Sequence, residues 1–253
     1  MGKESQLSLG SAPIVEAVVD IDCDMPASMD IDAVDAMAQA ALADTYPITR
    51  RRMLAEHQIT TTPEGPVNVS LRQGLQALQY FTTDERQLIQ FRHTGFSFNR
   101  LAPYSGLDDY LAEIERTWRI FIEITKPVVT RAVRLRYINR IRLPLSEGHV
   151  DLDEYLKLAP KLPDEDRLTF AGFFNQHSVL EKATGNQVNI VFASQPSSTD
   201  HLPIIFDIEA LKDISVEPGE WEAISGRIRS LRSIKNLVFA NSLTDKCLNL
   251  FQH

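Results

Sequence analysis

Between Val128 and Leu143 apolar and basic positions alternate with a period of two. Val133, Leu135, Tyr137, Ile141 and Leu143 fall on one side, and Arg134, Arg136, Arg140 and Arg142 on the other. That is the period of a strand, so the segment predicts one core face and one guanidinium face. Asn139 interrupts the apolar side and Ile138 the basic one. Elsewhere β-branched runs bounded by turn residues predict further strands. Pro13 opens PIVEAVVDIDC, and residues 50–59, 67–81, 87–92 and 96–101 follow, broken by the turns TTPEGP, TTDE and His93-Thr94-Gly95. After the arginine segment the same signals predict strands at 168–174, 178–180, 188–192 and 204–208.

Helical spacing marks the intervening segments. Ser28 or Asp30 can cap a helix through Ala43 with Ile31, Val34, Met37, Ala38, Ala41 and Leu42 along one side, and Pro47 forbids its continuation. Ser105 with Asp108 suggests a capping box for a helix over 107–124, whose stripe is Leu107, Tyr110, Leu111, Ile114, Trp118, Phe121 and Ile122. A short helix is predicted over 152–158. Pro218 starts a long one, with Trp221, Ile224, Ile228, Leu231 and Leu237 or Val238 inward and Arg227, Arg229, Arg232 and Lys235 partly outward. SLTDKCLNLF adds a last helical turn or two.

Strands followed by a helix in each half specify α+β layers. The expectation is two pseudo-repeated β-α-β-β-β-α units forming a curved, mainly antiparallel sheet with helices on one face. The boundaries are a disordered leader over 1–12, a first half over 13–126 and a second over 127–253, packed as one globular unit. The two openers, PIVEAVVDI and PVVTRAVRL, are themselves alike.

Composition narrows the chemistry. The chain has 253 residues, 43% of them hydrophobic, enough for a sizeable core, and a formal charge of −8. Residues 131–142 hold five Arg and no acid, so the acidity lies everywhere else and any anion site must be local. Long nucleic acid is therefore a poor partner. Cys23 and Cys247 are too few for a disulfide framework, no run is long and apolar enough for a membrane span, and a cytoplasmic protein is expected. The chain contains no P-loop, GxGxxG, GxSxG or HExxH motif, and none of its six His is spaced with another at i+2, i+3 or i+4. No cofactor is called for. Asp20, Asp22 and Asp24 alternate along the first strand and could share a magnesium ion, or face the arginines across the sheet.

The segments PIVEAVVDI (13–21), GFSFNRLAPY (95–104), LRYINRI (135–141) and FANSLTDKCLNLF (239–251), with Trp118, resemble a sporadically distributed, functionally uncharacterised prokaryotic family. The resemblance spans the whole length and implies an intracellular bacterial or archaeal protein, accessory or defence-associated. It implies no reaction and no site residues. The element order is also similar to the duplicated unit of the TATA-binding-protein fold, an analogy of fold alone.

The reading that follows is a non-catalytic binding or regulatory protein. Arg134, Arg136, Arg140, Arg142 and Arg100 would meet a nucleotide or phosphate ligand, or an acidic protein encoded nearby. The alternatives are a metal-assisted enzyme acting on a phosphate ester near Asp20, Asp22 or Asp24, and arginines held only in structural ion pairs. Oligomeric state is not legible.

Overall fold

The computed structural model describes residues 10–60, 68–164 and 166–252, and side chains at 55–60 and 68–73 are not among what it describes. Most of the expected leader and the TTPEGP turn therefore lie outside the described residues. Within them the chain forms nine strands: β1 (Ile14–Asp24), β2 (Ile48–Thr60), β3 (Asn68–Phe81), β4 (Gln87–Arg92), β5 (Gly95–Leu101), β6 (Val129–Pro144), β7 (Phe174–Leu180), β8 (Gln187–Ser194) and β9 (His201–Val216). Four helices accompany them: α1 (Ile31–Leu42), α2 (Leu107–Thr125), α3 (Trp221–Ser242) and α4 (Asp245–Asn249). The strands make one antiparallel sheet in the order β2-β3-β4-β5-β1-β6-β9-β8-β7. The arginine strand β6 thus lies between β1 and β9, next to the middle.

Register decides which side chains share a face. Ala17, Val19 and Ile21 of β1 oppose Tyr137, Leu135 and Val133 of β6, which oppose Ile208, Ala210 and Lys212 of β9. Apart from Lys212 at the row's end, these residues are buried, with Phe96 and Phe98 of β5 and Ile190 and Phe192 of β8 on the same side. The helices cover this face. Trp118 and Phe121 of α2 pack on Phe96 at 5.8 and 5.7 Å between ring centroids, and Phe91 meets Phe121 edge-on at 5.0 Å. Phe239 of α3 stacks on Phe206 at 5.6 Å. Each such pair adds about 0.5–1.5 kcal/mol beyond the area it buries. Gly95 is required where β4 turns into β5. Its φ is 141°, and a Cβ there would come within 2.1 Å of the Ile21 carbonyl oxygen.

Several local expectations change. Asp30 does cap α1, accepting from the backbone of Asp32 and Ala33. The capping box at α2 is absent: Gly106 is its N-cap, and the Ser105 hydroxyl donates to the Tyr110 hydroxyl instead. Residues 152–158 form only a single 3-10 turn, Leu152–Glu154. No strand forms over 168–173, so β7 begins where that strand was expected to end. β9 runs well past Ile208: Asp207 and Glu209 are solvent-side positions between the buried Phe206, Ile208 and Ala210, and the pairing with β6 continues through Asp213 to Val216.

Candidate functional site

Among the described residues the helices pack on one face of the sheet, and β6 crosses the other with Arg134, Arg136, Arg140 and Arg142 all on that side. Their cross-strand neighbours on β9 are Leu211, Glu209, Ile205 and Pro203. Arg100 does not join them. It shares a strand side with the buried Phe96 and Phe98, opposite Ala17, and its guanidinium lies 5.3 Å from the centroid of the Tyr110 ring on the helix-covered face.

The four arginines divide into two pairs. Arg134 donates through Nε to Asp22 at 2.9 Å, and Arg92 reaches both Asp22 at 3.1 Å and Asp20 at 3.2 Å. Ser97 donates to Asp20, so that carboxylate is held from two sides. Burial pushes the Asp20 carboxyl above its ordinary range, opposed by Arg92 and the Ser97 hydroxyl. Burial works against the charge of Arg134, but Asp22 more than offsets it and the guanidinium titrates above its ordinary range. Arg136 forks onto Asp207, with Nε 2.9 Å from Oδ1 and 3.0 Å from Oδ2, and this bonding raises its pKa. The polar network continues sideways. Gln79 donates to Gln90 at 2.9 Å, Gln90 to Asn99 at 3.0 Å and Asn99 to Glu16 at 2.7 Å.

Arg140 and Arg142 are different. Both are exposed, and neither meets a carboxylate among the described residues. Their strand neighbours Ile205 and Pro203 are uncharged, and the row of Arg140 continues through Ile205 and Ala193 to Phe174 on β7. Among the described residues the uncovered face therefore ends in two guanidiniums without a carboxylate partner, beside an apolar border. Alternate residues on a strand are about 6.5–7 Å apart, a spacing that lets both charges engage one extended anionic chain.

The aspartates do not gather. Asp20 and Asp22 are engaged by Arg92 and Arg134, Asp24 pairs with Arg131, and no group of three or more His, Cys, Asp or Glu able to hold a metal occurs among the described residues. A groove of about 640 Å³ at the end of α2, lined by Arg119, Lys126, Val128 and Glu217 among others, includes none of the β6 arginines.

One polar cluster escaped the sequence reading. Lys235 of α3 is buried, with Nζ 3.8 Å from the centroid of the Tyr137 ring, and the Tyr137 hydroxyl shares a 2.7 Å hydrogen bond with that of Tyr104. Burial, helped by the nearby Arg232, lowers the Lys235 amine to about 7. The signal was its spacing: Ile228, Leu231, Lys235 and Val238 form one helical stripe.

Fold and site together define an α+β protein with a one-sided helical layer and an open, charged sheet face. No protein-family model matches the chain, and no curated protein or solved structure matches it significantly.

Proposed function

We propose that the chain is a non-catalytic binding protein whose uncovered sheet face receives an acidic partner at Arg140 and Arg142. The observation that carries this reading is the contrast within one strand: Arg134 and Arg136 are matched to Asp22 and Asp207, whereas Arg140 and Arg142 are exposed and, among the described residues, unmatched. Matched charges specify the sheet, and unmatched ones are available to a ligand. Both side chains are exposed, which suits a macromolecular surface better than an enclosed small molecule. The overall charge of −8 disfavours long nucleic acid and leaves an acidic protein segment as the better match.

The same reading takes the two halves as copies of one unit. What supports it is the strand order: each opener, β1 or β6, pairs with the last strand of its own half, and the remaining strands step outward. The second half has one strand fewer and only a 3-10 turn in place of α1. The two buried, unpaired thiols suit a reducing cytoplasm.

The test is binding of a poly-glutamate peptide and a single-stranded oligonucleotide, followed by fluorescence anisotropy at low and raised salt. Peptide binding should weaken with salt and fall at least tenfold in Arg140→Glu/Arg142→Glu, with an unchanged melting temperature. Arg134→Ala/Arg136→Ala should instead lower the melting temperature. Failure of the peptide to bind, or undiminished binding by the Arg140→Glu/Arg142→Glu variant, overturns the reading. Preferential binding of the oligonucleotide replaces the acidic segment with nucleic acid.

A further inference from the structure

The two edges of the sheet are unlike. β2 presents three consecutive exposed arginines, Arg50, Arg51 and Arg52, and edge charges of this kind discourage the addition of another strand. β7, at the opposite edge, contains no Asp, Glu, Lys, Arg or Pro. Phe174 and Leu180 at its two ends are 68% and 69% exposed, the highest values among the large hydrophobics of the described residues. Both lie on the uncovered face. Phe174 sits in the row Ala193, Ile205, Arg140, and Leu180 in the row Gln187, Leu211, Arg134. An uncharged edge strand with an apolar side chain at each end lacks the devices that keep edges apart.

We propose that β7 pairs antiparallel with β7 of a second copy of this chain, with His177 of each copy opposite the partner's His177. In that register Phe174 meets the partner's Leu180, and Asn175 meets the partner's Val179, which is 43% exposed. The most exposed apolar side chains of each copy are thereby covered by those of the other. Glu181 and Lys182, just past the strand, fall opposite the partner's Phe173 and Gly172, so no like charges oppose each other. The contact uses one surface on both copies and closes on a two-fold axis, which favours a dimer over a filament. Seven paired residues form a contact smaller than the roughly 800 Å² per partner of a standard interface, so the dimer should form and dissociate with concentration. It makes one continuous sheet from two nine-stranded ones and brings both Arg140/Arg142 pairs onto a single face.

Sedimentation velocity across a concentration series tests this directly. Wild-type protein should dimerise with concentration, and Phe174→Lys or Leu180→Glu alone should yield monomer with an unchanged melting temperature. Combining both in one chain should restore the dimer, because each new lysine then faces a new glutamate across the axis. Within one chain the two positions are about 20 Å apart and cannot pair. His177→Cys should form an oxidised, disulfide-linked dimer, since native Cys23 and Cys247 are buried. Monomer at every concentration, a dimer that survives either single change, no restoration in the double variant, or no His177→Cys crosslink would each overturn the proposal.

Discussion

Replacing Lys235 with Met should make the protein more stable, and by an amount that depends on pH. The amine is buried, its Nζ rests on the Tyr137 ring, and its pKa falls from 10.5 to about 7. In the unfolded chain the same amine keeps its proton until pH approaches 10.5, so between about 7 and 10.5 unfolding takes up a proton. Stability therefore rises with pH across that window and is lost again as pH falls toward 7. Each pKa unit corresponds to about 1.4 kcal/mol, so the burden on the folded state is about 5 kcal/mol at pH 6 and about 2 kcal/mol at pH 9. Methionine fills a similar volume without the charge. Urea unfolding of wild type and Lys235→Met at those two pH values should show the variant ahead in both, with the gap about 3 kcal/mol wider at pH 6. Other groups titrate in this range, notably the buried Cys23 and Cys247 thiols pushed up to about 12, but their contributions cancel in the difference. A gap independent of pH, or a less stable variant, would refute the reasoning and mean that the amine is charged and held by the cation–π contact.

Trp118→Ala should cost about 3–5 kcal/mol in urea unfolding, because the indole is buried against Phe96 and Phe121 and donates to the Pro218 carbonyl at 3.0 Å. An unchanged midpoint would remove it from the core. Asp35 of α1 is buried. Burial alone would raise its pKa, but hydrogen bonds from Gln39, Arg51 and Tyr80 prevail and lower it. Its contribution is thus present above the ordinary carboxylate range and lost as pH falls through the lowered value. The stability lost in Asp35→Asn, followed by urea unfolding, should shrink on acidification, and a constant loss would show that the carboxylate charge is not what matters.

How much was legible depended on whether a side chain's position and its chemistry agreed. In β6 they agreed, and the alternation named both faces: Val133, Leu135, Tyr137, Ile141 and Leu143 are all buried. In α3 they disagreed at Lys235, where charge suggested solvent and the stripe through Ile228, Leu231 and Val238 pointed to the core. Arg100 was grouped with the arginine row by type, although the strand parity it shares with Phe96 and Phe98 puts it on the opposite face. Asn139, which interrupts the apolar side of β6, is buried and donates to the Phe206 carbonyl at 2.9 Å, beside an irregularity in the pairing of β1. The alternation of Asp20, Asp22 and Asp24 already offered them as carboxylates facing the arginines, and Asp22 does pair with Arg134; the match of Asp207 with Arg136, and with it the division of the row, required knowing that β9 flanks β6.

The seam between β1 and β6 also sets a timetable for synthesis. β5 can cover one side of β1 once residue 101 has emerged, but the other side waits for a strand that ends at Pro144. At about 5–20 residues per second the ribosome needs roughly 2–10 s to deliver those 43 residues. Throughout that interval the nascent first half presents β1 with half its backbone groups unpaired. Joining strands that start 115 residues apart is a slow, long-range step, so the interval in which a nascent chain can pair with the wrong neighbour opens before the arginine strand arrives and closes only when that strand docks.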